Sequence, residues 1–122
     1  MFIKIRMRGQ NGKEMNLMKK IYLFCSAGMS TSMLASNMQE VANAHNLDIE
    51  VKAFPIGKLQ DIYEEKHPDC ILLGPQVKFA FEETKKVYNQ LNTPVGLIDA
   101  SDYGMINGER VLKAAVKLIK GI

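Results

Sequence analysis

Cys25 is the residue of this chain best placed for nucleophilic chemistry. It lies in "YLFCSAGMSTSML" (residues 22–34), where an apolar run ends in the thiol. Ser26, Ala27, Gly28, Met29, Ser30, Thr31 and Ser32 follow, mostly small and rich in hydroxyls, and then a helical pattern begins. A turn between a strand and a helix aims several backbone N–H groups at one place, and the helix dipole adds about +0.5 of an elementary charge there. Gly28 and its small neighbours let the backbone approach a ligand closely. The same field favours the thiolate, which is the nucleophilic form of cysteine. Ser30, Thr31 and Ser32 offer an N-cap and further hydroxyl donors. Free cysteine is also one of the most buried residue types, so the pattern alone balances a reactive Cys25 against a structural one. Cys70, inside "DCILL", fits the structural description and is assigned no function.

Other chemistries find little support. Neither the Gly-x-Gly-x-x-Gly pattern of dinucleotide sites nor a phosphate loop ending in Gly-Lys-Ser/Thr occurs. His45 and His67 stand apart and no Cys-x-x-Cys or His-x-x-x-His spacing exists, so neither a metal site nor a cofactor is expected. His45 falls on the apolar side of its helix and reads as a packed residue, whereas His67 precedes Pro68 at an element boundary and reads as exposed. Of the eight methionines, Met29 and Met33 flank the thiol and could serve an adaptable contact surface.

The elements that must position Cys25 are read from hydrophobic patterning. "KIYLFC" (20–25) and "DCILLG" (69–74) are nearly continuous apolar runs, typical of buried parallel strands. "DIEVKAF" (48–54) alternates as a strand and is ended by Pro55, and "PVGLID" (94–99) is a fourth strand. Between them fall a helix over 30–46 with Leu34, Met38, Val41, Ala42 and His45 on one side, and a short polar helix over 58–67. A charged helix over 78–91 turns Phe81, Val87 and Leu91 inward, and a closing helix over 111–120 buries Val111, Leu112, Ala115, Val116 and Ile119. Strict β-α alternation predicts an α/β domain with a single four-stranded parallel sheet, flanked by helices on both faces and joined by right-handed crossovers. Ligands of such sheets bind beyond the carboxyl ends of the strands, where Cys25 lies.

At 122 residues the chain is expected to hold one domain, long enough to bury a core without disulfides. The net charge of +3 has its source in the leader: Lys4, Arg6, Arg8 and Lys13 outweigh Glu14 within residues 1–17. Taking those five from the sixteen Lys+Arg and thirteen Asp+Glu leaves residues 18–122 with twelve basic and twelve acidic side chains. A neutral domain without a basic stripe is a poor partner for nucleic acid. Residues 1–17 read as a weakly ordered appendage, with Met18 a possible natural start and residues 18–122 the working domain. No apolar stretch approaches the ~20 residues that span a bilayer, so no direct membrane insertion is expected. The start lacks the apolar core of a signal peptide, and two cysteines make no disulfide framework, which points to a reduced, cytoplasmic protein.

"KKIYLFCSAGMSTSMLASNM", "LLGPQV", "PVGLID" and "YGMINGERVLKAAVKLIK" together resemble the IIB component of the lactose/cellobiose class of the phosphoenolpyruvate:sugar phosphotransferase system, from about Met18 to the end. The resemblance implies the fold of low-molecular-weight tyrosine phosphatases. It implies that Cys25 accepts a phosphoryl group from a phosphohistidine of a partner IIA protein. Cys25 then passes it to a sugar, typically a β-linked disaccharide such as cellobiose or chitobiose, held by the membrane component IIC. Such a component is cytoplasmic and peripheral to the inner membrane through IIC. Phosphatases of this fold use a Cys-x5-Arg loop, but the sixth residue after Cys25 is Thr31, and the first charged residue after it is Glu40. The bidentate guanidinium clamp is therefore missing. The loop of residues 26–32 is expected to cradle the phosphate, with Met33, Gln76 and Tyr103 at the rim or in contact with a partner. Two other readings stay open: a phosphatase or arsenate-reductase-like enzyme using Cys25 with Asp99 or Asp102 as its acid, and a non-catalytic binding module.

Overall fold

The structure, a computed structural model, describes residues 18–26 and 29–121. The leader over residues 1–17, and with it the expectation of a weakly ordered arm, lies outside the described residues.

Four parallel strands, β1 (Lys19–Cys25), β2 (Ile49–Pro55), β3 (Cys70–Leu73) and β4 (Val95–Leu97), pair in the order β2-β1-β3-β4. The apolar runs take the two central places, and the alternating "IEVKAFP" takes an edge. This division follows from burial. A central strand covered on both faces needs apolar side chains on both, while an edge strand tolerates Glu50 and Lys52. Pro55 ends β2 on that edge, where its missing N–H breaks no interior ladder.

Among the described residues, five α-helices accompany the sheet: α1 (Met29–Ala44), α2 (Leu59–Lys66), α3 (Phe81–Asn89), α4 (Ala100–Gly104) and α5 (Gly108–Lys120). Side chains of β1 alternate between two cores. Ile21 and Leu23 pack with Leu34, Met38 and Ala42 of α1 and Val111, Leu112, Ala115 and Val116 of α5. Tyr22 and Phe24 pack on the other face with Leu59 of α2, Tyr88 of α3 and Val77. Gln39 of α1 covers the outer edge of β2 in the manner of a further strand. Its Nε2 donates to the Ile49 carbonyl and its Oε1 accepts from the Val51 N–H, each at 2.8 Å.

The structure corrects three expectations. α1 ends at Ala44, so His45 falls in the following turn and is exposed rather than packed. Asn46 takes the left-handed conformation there, and Leu47 turns inward in place of His45, its N–H donating to the Ala42 carbonyl at 2.9 Å. The helix expected over 78–91 is a 3-10 segment, Pro75–Ala80, followed by α3. Starting that helix at Phe81 sets the buried stripe at Phe81, Thr84 and Tyr88, so Val87 and Leu91 remain 47% and 53% exposed. Tyr88 wins its place by packing its ring on Tyr63, with centroids 4.7 Å apart. Finally, "ASDYG", to which the patterning assigns no element, forms α4, capped by Asp99, whose Oδ2 accepts from the Asp102 N–H at 3.1 Å.

α5 begins against α1 with no space between them. The N–H of Gly108 donates to Asn37 Oδ1 at 2.8 Å, and a Cβ at Gly108 would lie 2.8 Å from the Met38 nitrogen as well as against Asn37. Gly108→Ala is therefore expected to destabilise the domain by about 1–3 kcal/mol, as overpacking does. Thermal unfolding checks this, at about 4–8 °C per kcal/mol for a domain of this size.

Candidate functional site

β1 lies between β2 and β3, and the chain leaves its carboxyl end toward α1 while the connection from β2 crosses to the far side. Such a reversal opens the crevice in which α/β sheets bind ligands. Cys25 is the last residue of β1, paired with Pro55 on one side, and only 3% of it is exposed. Past it, α1 begins at Met29 with no acidic side chain in its first turn, so no carboxylate of that turn offsets the positive end of this sixteen-residue helix.

Thr31 reaches the sulfur directly. Its Oγ1 donates to Cys25 Sγ at 2.8 Å and lies 2.9 Å from the Tyr103 hydroxyl of α4. Thr31 is 1% exposed, so its hydroxyl works in a place that water does not compete for. Because α1 starts at Met29, Ser30, Thr31 and Ser32 stand inside its first turn rather than at its cap, and the Thr31 hydroxyl serves the thiol instead. Ser26, Ser30 and Ser32 are exposed on the same rim. Ala27 and Gly28 lie outside the described residues.

A second approach comes from β3. Gly74, just past its end, donates its N–H to the Phe24 carbonyl at 2.9 Å. A Cβ at Gly74 would stand 3.1 Å from Cys25 Cβ and 2.9 Å from Gln76 Oε1. The glycine thus lets the backbone after β3 press against the cysteine, and it brings the Gln76 amide to the same edge. Sequence reasoning did not single out Gly74; its place at the end of an apolar run, just ahead of Pro75, was the available signal. Met33, 48% exposed, lines a shallow groove of about 370 Å³ with Ser32, Ser36, Asn37, Glu40 and Ile106.

The two carboxylates considered as a phosphatase acid are both engaged. Asp99 caps α4, and Asp102 Oδ1 pairs with Arg110 Nε at 2.9 Å. Cys70 faces the core beside Ile21, fully buried. Burial pushes its thiol up to about 12, with the neighbouring Asp69 charge adding to the effect, so Cys70 stays a protonated core residue at neutral pH. Among the described residues no group of three or more His, Cys, Asp or Glu is placed to hold a metal ion, and no helix is long and apolar enough to cross a membrane.

A parallel four-stranded α/β sheet that delivers a thiol to a helix N-terminus defines a domain with the low-molecular-weight tyrosine phosphatase fold, lacking the arginine of those enzymes. A family model described as the lactose/cellobiose-specific IIB subunit of the phosphotransferase system matches residues 20–114, and the chain belongs to that family. It is 39% identical over 104 residues to the galactose-specific EIIB component of Lactococcus lactis subsp. cremoris (strain MG1363), covering 83% of this chain and 96% of the relative. It is 37% identical over 102 residues to the oligo-beta-mannoside-specific EIIB component of Bacillus subtilis (strain 168), covering 84% and 97%. The solution structure of the cellobiose-specific phosphotransferase IIB component from Borrelia burgdorferi superposes with a TM-score of 0.69 at 31% identity, over 84% of this chain and 93% of that one. The lactose-specific IIB domain from Streptococcus pneumoniae, at 20% identity and a TM-score of 0.72 over 82% and 96%, shares the fold. IIB components are transferases that move phosphoryl groups to sugars as one part of a multi-protein system, together with IIA and IIC partners.

Gly74→Ala is expected to press on Cys25 Cβ and slow alkylation of Cys25 by iodoacetamide about three- to tenfold, the effect of a few tenths of an ångström at a reacting atom. Far-UV circular dichroism should stay unchanged. Adding Gln76→Ala relieves the contact with the amide but not the one with Cys25, and so should recover only part of the loss.

Proposed function

We propose that Cys25 is the residue that carries the phosphoryl group in this IIB component. The observation that carries the reading is the sulfur at the end of β1, at the positive end of α1, holding a hydrogen bond from the buried Thr31 hydroxyl. In the first step the Cys25 thiolate attacks the phosphorus of a phosphohistidine on IIA. An S–P bond forms, the N–P bond breaks, and the imidazole nitrogen leaves with the electron pair. In the second step a hydroxyl of the sugar held by IIC attacks the phosphorus. An O–P bond forms, the S–P bond breaks, and the thiolate is restored as the hydroxyl proton is lost.

Residues 26–32 hold the phosphoryl oxygens through backbone N–H groups, the α1 dipole and hydroxyls. Thr31 occupies the position of the phosphatase arginine. It gives a neutral donor where that enzyme has a charged fork, so attack by water gains less stabilisation and the phosphocysteine lasts until a partner takes the group. Met33 and the Gln76 edge form the rim that partners meet. The relatives named as specific for oligo-beta-mannosides and for cellobiose support a β-linked disaccharide as the acceptor. Residues 18–122 form the carrier domain, which reaches the inner membrane from the cytoplasm by docking on IIC.

Incubation with phosphoenolpyruvate, the general transfer proteins and IIA should raise the intact mass by one phosphoryl group, and Cys25→Ser should show no gain. An unchanged wild-type mass under those conditions overturns the reading. Turnover of an aryl phosphate should be negligible, since the transition-state arginine is absent and Asp99 and Asp102 are engaged elsewhere.

A further inference from the structure

We infer that Tyr103 is a positioning residue for the Cys25 sulfur, acting through the Thr31 hydroxyl; the inference rests on the phosphocysteine reading and adds a member to its site. A threonine hydroxyl has one proton. With that proton given to Sγ at 2.8 Å, its oxygen can only accept from the Tyr103 hydroxyl 2.9 Å away. The direction of the chain is thereby set: the Tyr103 O–H donates to Thr31 Oγ1, and the Thr31 O–H donates to Cys25 Sγ. Each bond polarises the next, so the tyrosine strengthens and aims the donation that reaches the sulfur.

The surroundings of Tyr103 are over-determined for a five-residue helix that the β-α frame does not require. Its ring packs against the core between the sheet and helices α1 and α5. Asp99 caps α4 from the front, and the Tyr103 N–H donates to the Asp99 carbonyl at 2.9 Å. Arg110 of α5 grips Asp102, and the Asn107 N–H donates to the Asp102 carbonyl at 2.9 Å. Ile106, in the turn from α4 to α5, sits at φ 53°. That conformation is strained for a β-branched residue and persists only where the surroundings impose it. These contacts fix α4 between α1 and α5 with the Tyr103 hydroxyl on Thr31.

Tyr103→Phe keeps the ring and removes one oxygen. With phosphorylated IIA as donor, the variant is expected to lower the saturating single-turnover rate constant of phosphoryl uptake about three- to tenfold, the size of one hydrogen bond, with the half-saturating IIA concentration unchanged. Thr31→Val should lose at least as much, and adding Tyr103→Phe to it should change nothing more. Alkylation of Cys25 by iodoacetamide, which needs no partner, should show the same pattern across the single and double variants. A raised half-saturating IIA concentration with the saturating rate constant intact makes Tyr103 a partner contact and overturns the inference. So does a loss that adds fully to that of Thr31→Val, or no change in either assay. If the wild type takes up no phosphoryl group, the phosphocysteine reading fails, while the alkylation rates still decide whether Tyr103 acts through Thr31.

Discussion

A thiol at the end of a buried strand reacts well only if it is held in one orientation. The contact from Thr31 Oγ1 to Cys25 Sγ holds it there, through a hydroxyl that is itself buried. The surrounding elements serve that contact. β1 is central, and Cys25 at its end pairs with Pro55 of β2 on one side while Gly74, just past β3, presses against it on the other. α1 starts at Met29, which puts Thr31 in its first turn with the side chain turned back toward the strand end. Gly74 closes the opposite side, and α4 reaches in with Tyr103.

The absent arginine governs the fate of a phosphorylated thiol. A charged, bidentate donor stabilises the transition state for any nucleophile, water included. On the proposed reading, backbone N–H groups and a buried hydroxyl would stabilise a bound phosphoryl group less strongly and discriminate more by geometry. A partner that docks and brings its own reacting group then has an advantage over solvent. The domain outside its leader is electrically balanced, and the stretch from Ser26 to Gln39 carries no charge, so nothing on this segment repels a partner bearing a phosphoryl group.

Legibility in the sequence depended on how local each signal was. The central strands could be read from "KIYLFC" and "DCILLG" because burial on both faces imposes a composition that no other element shares. The face of α5 could be read because Val111, Leu112, Ala115 and Val116 mark one stripe without competition. The face of α3 could not. Phe81, Thr84 and Tyr88 compete with Phe81, Val87 and Leu91, and the choice turned on where the 3-10 segment ends and on the ring of Tyr63, which lies far away in the chain. His45 fits the helical spacing, but the helix stops one residue before it.

Cys25 and its small, hydroxyl-rich neighbours were determined by sequence alone, as was the lack of an arginine six residues on, since spacing along one strand-turn-helix unit is a local property. Tertiary structure decided which hydroxyl meets the sulfur. Thr31, not Ser30 or Ser32, points into the sheet, because the phase of α1 against its core is set by Leu34, Met38 and Ala42. Tertiary structure also decided that Tyr103, 72 residues from Thr31, completes the chain of hydroxyls. No local pattern carries that pairing, because it depends on a short helix held in place by its contacts with α1 and α5.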